Sequence, residues 1–278
     1  MSVKIIVDSC VDLPEETIRE LDIEVVPLTI TLGQDHYLDR VELSPDDFYH
    51  KISQEDHLPK TAQPSPGRYL EAFKKYGQKG QQILCLCVSS KLSGSYNSAL
   101  LAKKMASPEL EIEVVDSLSG SVGLGMLALK CGKWAKSGRS LEEISQDVKY
   151  YAKDLSVYSV LDTVEYSVKG GRLTAAKHMI NNILNFKVIL EAKSGNVAII
   201  DKVRGTKKAY ERVACLVAEK TAKQEIPLFG IGHVKNAEGA NQLGALIKQF
   251  QQNAEYIITS ISASMASHIG FGGIVLAF

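Results

Sequence analysis

The apolar run ILCLCV at Ile83 to Val88 is short, carries only aliphatic and thiol side chains, and stops at the polar stretch SSKLSGS. A run of this kind reads as a strand buried on both faces, which is the habit of a parallel sheet covered by helices. The neighbouring segments fit that reading. Val3 to Val7 reads as another strand, followed by DSCVDLPEE, in which Asp12 is placed to cap a helix that Pro14 opens, with Glu15 and Glu16 in its first turn. A strand is expected over Glu24 to Ile30 and a helix start at Ser44-Pro45-Asp46-Asp47. In KTAQPSPG two prolines oppose helix until Gly67. Helices then read over Tyr69 to Tyr76, Gly94 to Met105, Gly123 to Lys136 and Leu141 to Lys153, with a strand from Glu111 to Val115. Strands alternating with helices predict a three-layer α/β unit with a parallel sheet.

The second half has another rhythm. Leu155 to Leu161 is strand-like, Val164 to Ser167 a short helix running into KGGRL, and Ala175 to Leu184 a helix. Ser194-Gly195-Asn196 joins the strands Val188 to Glu191 and Val197 to Val203 as a hairpin. Beyond it, helices at Lys207 to Lys223 and Ala237 to Gln251 alternate with strands at Leu228 to His233 and Glu255 to Ser260, and Gly273 to Leu276 closes the chain. Hairpin and crossover connections together predict a mixed sheet. Two α/β domains are therefore expected, residues 1–158 and residues 159–278, with no flexible linker or internal repeat between them.

Charge excludes one broad class of partner. Lys plus Arg and Asp plus Glu number 32 each, so no net field gathers nucleic acid or coats an anionic membrane. No apolar run approaches the roughly 18 residues of a membrane span, and the run beginning at Ile5 is broken at Asp8, unlike a secretory leader. A cytoplasmic protein is expected. The five cysteines are odd in number and scattered, and Cys85 and Cys87 lie two apart on a strand, so they read as small buried apolar residues without metal or disulfide.

The exits of parallel strands collect at one sheet edge, where ligands bind. Here they are Asp8-Ser9, Ser89 to Ser95 and Asp116 to Gly120, joined by KTAQPSPG. They offer hydroxyls and backbone N–H groups, and carry neither paired carboxylates for glycoside hydrolysis nor Cys/His clusters for zinc, so an acceptor-rich group such as a carboxylate or phosphate is expected. GIGHVKNAEG has only two glycines of a dinucleotide fingerprint, and no GxxxxGK[ST] is present. In KGGRL the two glycines make a tight turn able to aim Arg172 into a cleft, and SHIGFGG places His268 among glycines that permit close backbone approach.

Taken in order, DSCVDLP, TAQPSP, SSKLSGSYNSA, VDSLSGSVGLG, KGGRL and HIGFGG resemble the DegV family, the fatty-acid-binding subunits of bacterial fatty acid kinase systems, over the whole chain. The resemblance implies two α/β domains around a long lipid tunnel whose head-group end lies at the interdomain cleft. It implies a long-chain fatty acid as ligand, with no cofactor, no metal and no catalytic residue of the chain's own. Thr61, Ser93, Gly94 and His268 would hold the carboxylate, and Arg172 would serve the cleft and the presentation of the acid to a separate kinase subunit. Transient contact with a membrane surface would accompany lipid transfer. Departures from the family pattern are Cys10 at a position usually small and hydroxylated, Ala62 where Ser is common, and Phe271 in place of a proline. An alternative is a serine acyl hydrolase with Ser93 as nucleophile and His268 as base, although no GxSxG elbow and no third residue to orient His268 is found.

Overall fold

The computed structural model describes residues 2–54, 58–173, 176 and 186–278. In the first half these form β1 (Val3–Asp8), α1 (Glu15–Glu20), β2 (Glu24–Val26), β3 (Thr29–Leu32), β4 (Asp35–Leu38), α2 (Pro45–Ile52) and β5 (Lys60–Ala62). They are followed by α3 (Pro66–Gly77), β6 (Gln82–Cys87), α4 (Ser95–Met105), β7 (Ile112–Asp116), α5 (Ser121–Lys136) and α6 (Leu141–Asp154). Strands β2-β1-β6-β7 make a parallel sheet in that order. Its β1 is buried at every position, as a strand covered on both faces must be.

Local chemistry sets the helix starts. Ser44 and Ser65 accept the backbone N–H of Asp47 (3.2 Å) and Arg68 (3.4 Å), with Pro45 and Pro66 at the first helical positions, and Ser140 with Glu143 closes a capping box on α6. Helix α1 departs from expectation: it begins after Pro14 without a side-chain cap, and Asp12 turns inward instead. The strand expected over Glu24 to Ile30 is also cut in two. Pro27 has no N–H for the ladder, so β2 stays in the parallel sheet while β3 joins β4 and β5 in a small antiparallel sheet of order β4-β3-β5.

The second half comprises β8 (Val157–Leu161), α7 (Glu165–Lys169), β9 (Phe186–Lys193), β10 (Asn196–Arg204), α8 (Thr206–Lys220), β11 (Leu228–His233), α9 (Ala237–Ile247), β12 (Glu255–Ser260), α10 (Ala263–Ile269) and β13 (Ile274–Ala277). They build a mixed sheet of order β10-β9-β8-β13-β11-β12, in which only β11 and β12 run parallel. The Ser194-Gly195 hairpin turns with both residues at positive φ, 49° and 82°. The helix expected over Ala175 to Leu184 lies outside the described residues apart from Ala176. Helix α10 takes in only residues 267–269 of the segment SHIGFGG, and its glycines stay in the loop that follows.

Helix α5 joins the two units. Val122 and Met126 pack toward the mixed sheet, while Leu124, Leu127 and Ala128 pack toward the parallel sheet. This explains why α5 is apolar nearly all round and loses amphipathic character. Gly125 lets it approach the β1 exit: a Cβ there would come within 2.3 Å of the Asp12 carbonyl oxygen. The other face of the mixed sheet, with Tyr158, Ile189 and Ile231, is covered by α8 and α9.

Candidate functional site

Between α5, α10 and the inner face of the mixed sheet lies a cavity holding about 830 Å³ of space free of atoms, its open mouth included. Val157, Leu161, Leu190 and Val275 form its aliphatic wall. Its polar end carries Thr61, Ser93, Arg172 and His268, all half-buried. Thr61, Arg172 and His268 also line a second, open cleft with Lys60, Tyr166 and Lys169. The three side chains therefore stand where the cavity meets the surface.

Each comes from a different element. Strand β5 presents Thr61, whose Oγ1 lies 3.1 Å from His268 Nε2 on α10. Ser93 follows β6 in a turn closed by its own N–H to the Ser89 carbonyl (3.0 Å), and its Oγ pairs with Ser95 Oγ at 2.9 Å. Gly171, at φ 79°, turns the chain after α7 so that Arg172 donates from Nε to the Leu92 carbonyl (3.0 Å) and from Nη1 to the Gly170 carbonyl (2.7 Å). Arg172 thus ties the KGGRL turn to the serine turn of the first half. Gly94 stands at the N-terminus of α4 outside the cavity lining, where a Cβ would come within 1.9 Å of Gln63 Oε1. Phe271 packs on Tyr49, ring centroids 6.3 Å apart, and its loop is turned by Gly270 and Gly272 at positive φ.

His268 rests on Gly170, where a Cβ would come within 2.4 Å of Nδ1, and that buried Nδ1 has no hydrogen-bond partner among the described residues. Burial, and secondarily the Arg172 charge, push the imidazole down to about 3, so the ring is neutral near pH 7. It therefore carries one N–H and one acceptor nitrogen. Hydroxyls, a neutral imidazole and the guanidinium edge together suit an acidic group. Of the two lysines that line the open cleft, Lys169 is paired with Glu165 at 2.6 Å and Lys60 is exposed. No hydrogen bond joins Ser93 to His268 among the described residues, so the nucleophile and base of an acyl hydrolase are not paired here.

A second polar cluster escaped sequence reasoning. Asp12 is fully buried and accepts from Ser121 Oγ (2.6 Å) and from the Ser262 N–H (2.8 Å), with Arg40 3.5 Å away. Asp39, also fully buried, accepts from both the N–H and the hydroxyl of Ser264, which in turn meets Ser9 Oγ at 3.2 Å. These bonds dock α10, and with it His268, onto the first half. Burial raises the carboxyls of Asp8 and Asp12 to about 6 and raises Asp39 as well; Arg40 pulls Asp12 and Asp39 back down. Nothing in the separated segments DSCVD, LDR and ISAS signals that they meet.

Fold and cavity together define a two-domain α/β protein built round an internal apolar chamber with a polar end. The chain belongs to the DegV family: residues 2–278 match the family described as uncharacterised protein, DegV family. A DegV domain-containing protein of Clostridium acetobutylicum is 36% identical over 270 residues, covering 96% of this chain and 95% of that protein. The structure of a DegV family protein from Ruminococcus gnavus with vaccenic acid superposes with TM-score 0.90 at 32% identity, covering 100% of both chains. The fatty acid kinase B3 protein of Streptococcus pneumoniae loaded with linoleic acid gives TM-score 0.88 at 27% identity, covering 100% of this chain and 99% of that one.

Proposed function

We propose that this chain binds a long-chain fatty acid in the internal cavity, with the carboxylate at Thr61, Ser93 and His268, and presents it to a separate kinase for acyl-phosphate formation. The observation that carries this reading is the shared lining of Thr61, Arg172 and His268 between the aliphatic cavity and the open cleft. Residues 1–158 supply Thr61 and Ser93, and residues 159–278 supply Arg172 and His268. Burying a carboxylate is tolerable only where its oxygens find donors, which Thr61, Ser93 and His268 provide. The tail supplies affinity: at about 0.8 kcal/mol per buried CH₂, a chain of roughly 16 carbons gains on the order of 10 kcal/mol. That greatly exceeds the ~1 kcal/mol net of one hydrogen bond.

The two fatty-acid-loaded relatives support the ligand class, and the kinase-system protein among them supports the partner. Among the described residues no helix is long and apolar enough to cross a membrane, which fits a cytoplasmic carrier that touches the membrane surface transiently. Organic extraction of purified protein followed by mass spectrometry is expected to release free fatty acid. Finding none after expression in lipid-replete cells overturns the carrier reading. Arg172→Ala is expected to retain lipid yet fail to support acyl-phosphate formation with the kinase; equal loss of both makes Arg172 a binding residue only.

A further inference from the structure

We infer that Ser159 reads the acyl chain, favouring fatty acids that carry a hydrogen-bond acceptor within the tail, either a double bond or an oxygen. This rests on the fatty-acid reading above. Ser159 is the middle residue of β8 and its one position that is not fully buried, although β9 and β13 flank it on both sides. Its exposure is therefore to the cavity, whose lining it joins. Along the strand its neighbours on that face are Val157 and Leu161, and across it the paired residues are Leu190 and Val275. One hydroxyl thus interrupts an otherwise aliphatic stretch of wall.

The other cavity hydroxyls each have at least one protein partner. Thr61 meets His268, Ser93 meets Ser95, Ser121 donates to Asp12, Ser167 to the His268 carbonyl and Ser264 to Asp39. Ser159 is held in the sheet through its backbone, but its Oγ makes no hydrogen bond to any described residue. A water bridging it would need about two to four polar partners, and the four flanking side chains offer none. A saturated tail leaves the O–H unsatisfied, which disfavours that tail, whereas the face of a double bond is a weak acceptor and a hydroxyl or keto oxygen a full one.

The test is competition for delipidated protein among equimolar stearate, oleate and a mid-chain hydroxystearate, read by native mass spectrometry. The wild type is expected to take hydroxystearate about three- to tenfold over stearate, the ratio one net hydrogen bond supplies, and oleate about twofold, the ratio of a weaker contact to the face of a double bond. Ser159→Ala, nearly equal in volume, is expected to bring both ratios close to one with the fold intact by circular dichroism. A gain confined to hydroxystearate identifies oxygen as the acceptor, and one that includes oleate identifies the double bond. A preference that survives in Ser159→Ala reflects cavity shape and overturns the inference, as does a wild type with no preference. Protein that takes up none of the three acids overturns the carrier reading itself.

Discussion

Leu84 on β6 and Leu190 on β9 are both buried leucines of central strands, 0% and 4% exposed, yet they meet different surroundings. Leu84 sits in a parallel sheet whose two faces are packed with side chains. Leu190 sits in a sheet packed solidly on the α8–α9 side and facing a chamber on the other. The parallel sheet is the anchor, and it delivers the serine turn from a strand end. The mixed sheet supplies the wall against which an apolar chain can lie.

Truncation tests that contrast first. In delipidated protein Leu84→Ala is expected to lose about 2–5 kcal/mol in denaturant unfolding, because the packed sheet cannot collapse into the gap. Leu190→Ala is expected to lose about half as much, since the new space merges with space already present. Equal losses would make the two sheets alike. Enlarging a side chain sharpens the same comparison: Val7→Phe is expected to cost about 1–3 kcal/mol by overpacking. Val275→Phe is expected to leave the lipid-free protein folded as before while lowering fatty acid binding at least about tenfold, measured by isothermal titration calorimetry.

Smaller effects concern the polar end. Thr61→Ala is expected to weaken fatty acid binding about fivefold, the worth of one net hydrogen bond, and to lower stability by about 1 kcal/mol because His268 Nε2 loses its partner. The subtlest effect is in pH. The folded-state pKa of His268, about 3, lies below the ordinary 6.5, so the folded state binds fewer protons there and stability falls as pH drops from about 6.5 toward 3. Asp8 and Asp12, raised to about 6, act in the opposite sense: their contribution is present below about 4 and lost as pH rises through 6. Asp12→Asn removes part of that compensation and is expected to make the stability loss on acidification steeper. An unchanged acid limb in denaturation curves would mean that Asp12 does not titrate there.

Much of the architecture was legible locally. The unbroken apolar run at Ile83 to Val88 marked a strand covered on both faces, and Ser194-Gly195-Asn196 marked the hairpin that makes the second sheet mixed. Failures came where distant partners decide. Asp12 read as a helix cap because Pro14 follows it, but Ser121 and Ser262 offer its carboxylate buried donors that solvent-exposed capping would forgo. SHIGFGG placed His268 among glycines, whereas the glycines follow it and the seven residues before Gly270 form α10 under the tertiary hold of Asp12 and Asp39. Pro27 was a legible break that the apolar pattern of its neighbours masked.

Sequence by itself determined the two rhythms of strand and helix, the neutral charge balance and the chemical kinds of group available: hydroxyls, and one arginine and one histidine with glycines beside them in the chain. Local propensity and periodicity suffice for these, because they depend on residues a few positions apart. Only the tertiary structure decided that Thr61 lies 3.1 Å from His268 across 207 residues, that Arg172 reaches the Leu92 carbonyl, and that one face of the mixed sheet stays unfilled. An empty space belongs to no residue: it is set by how far α5 and α10 hold the sheets apart, which long-range packing alone fixes.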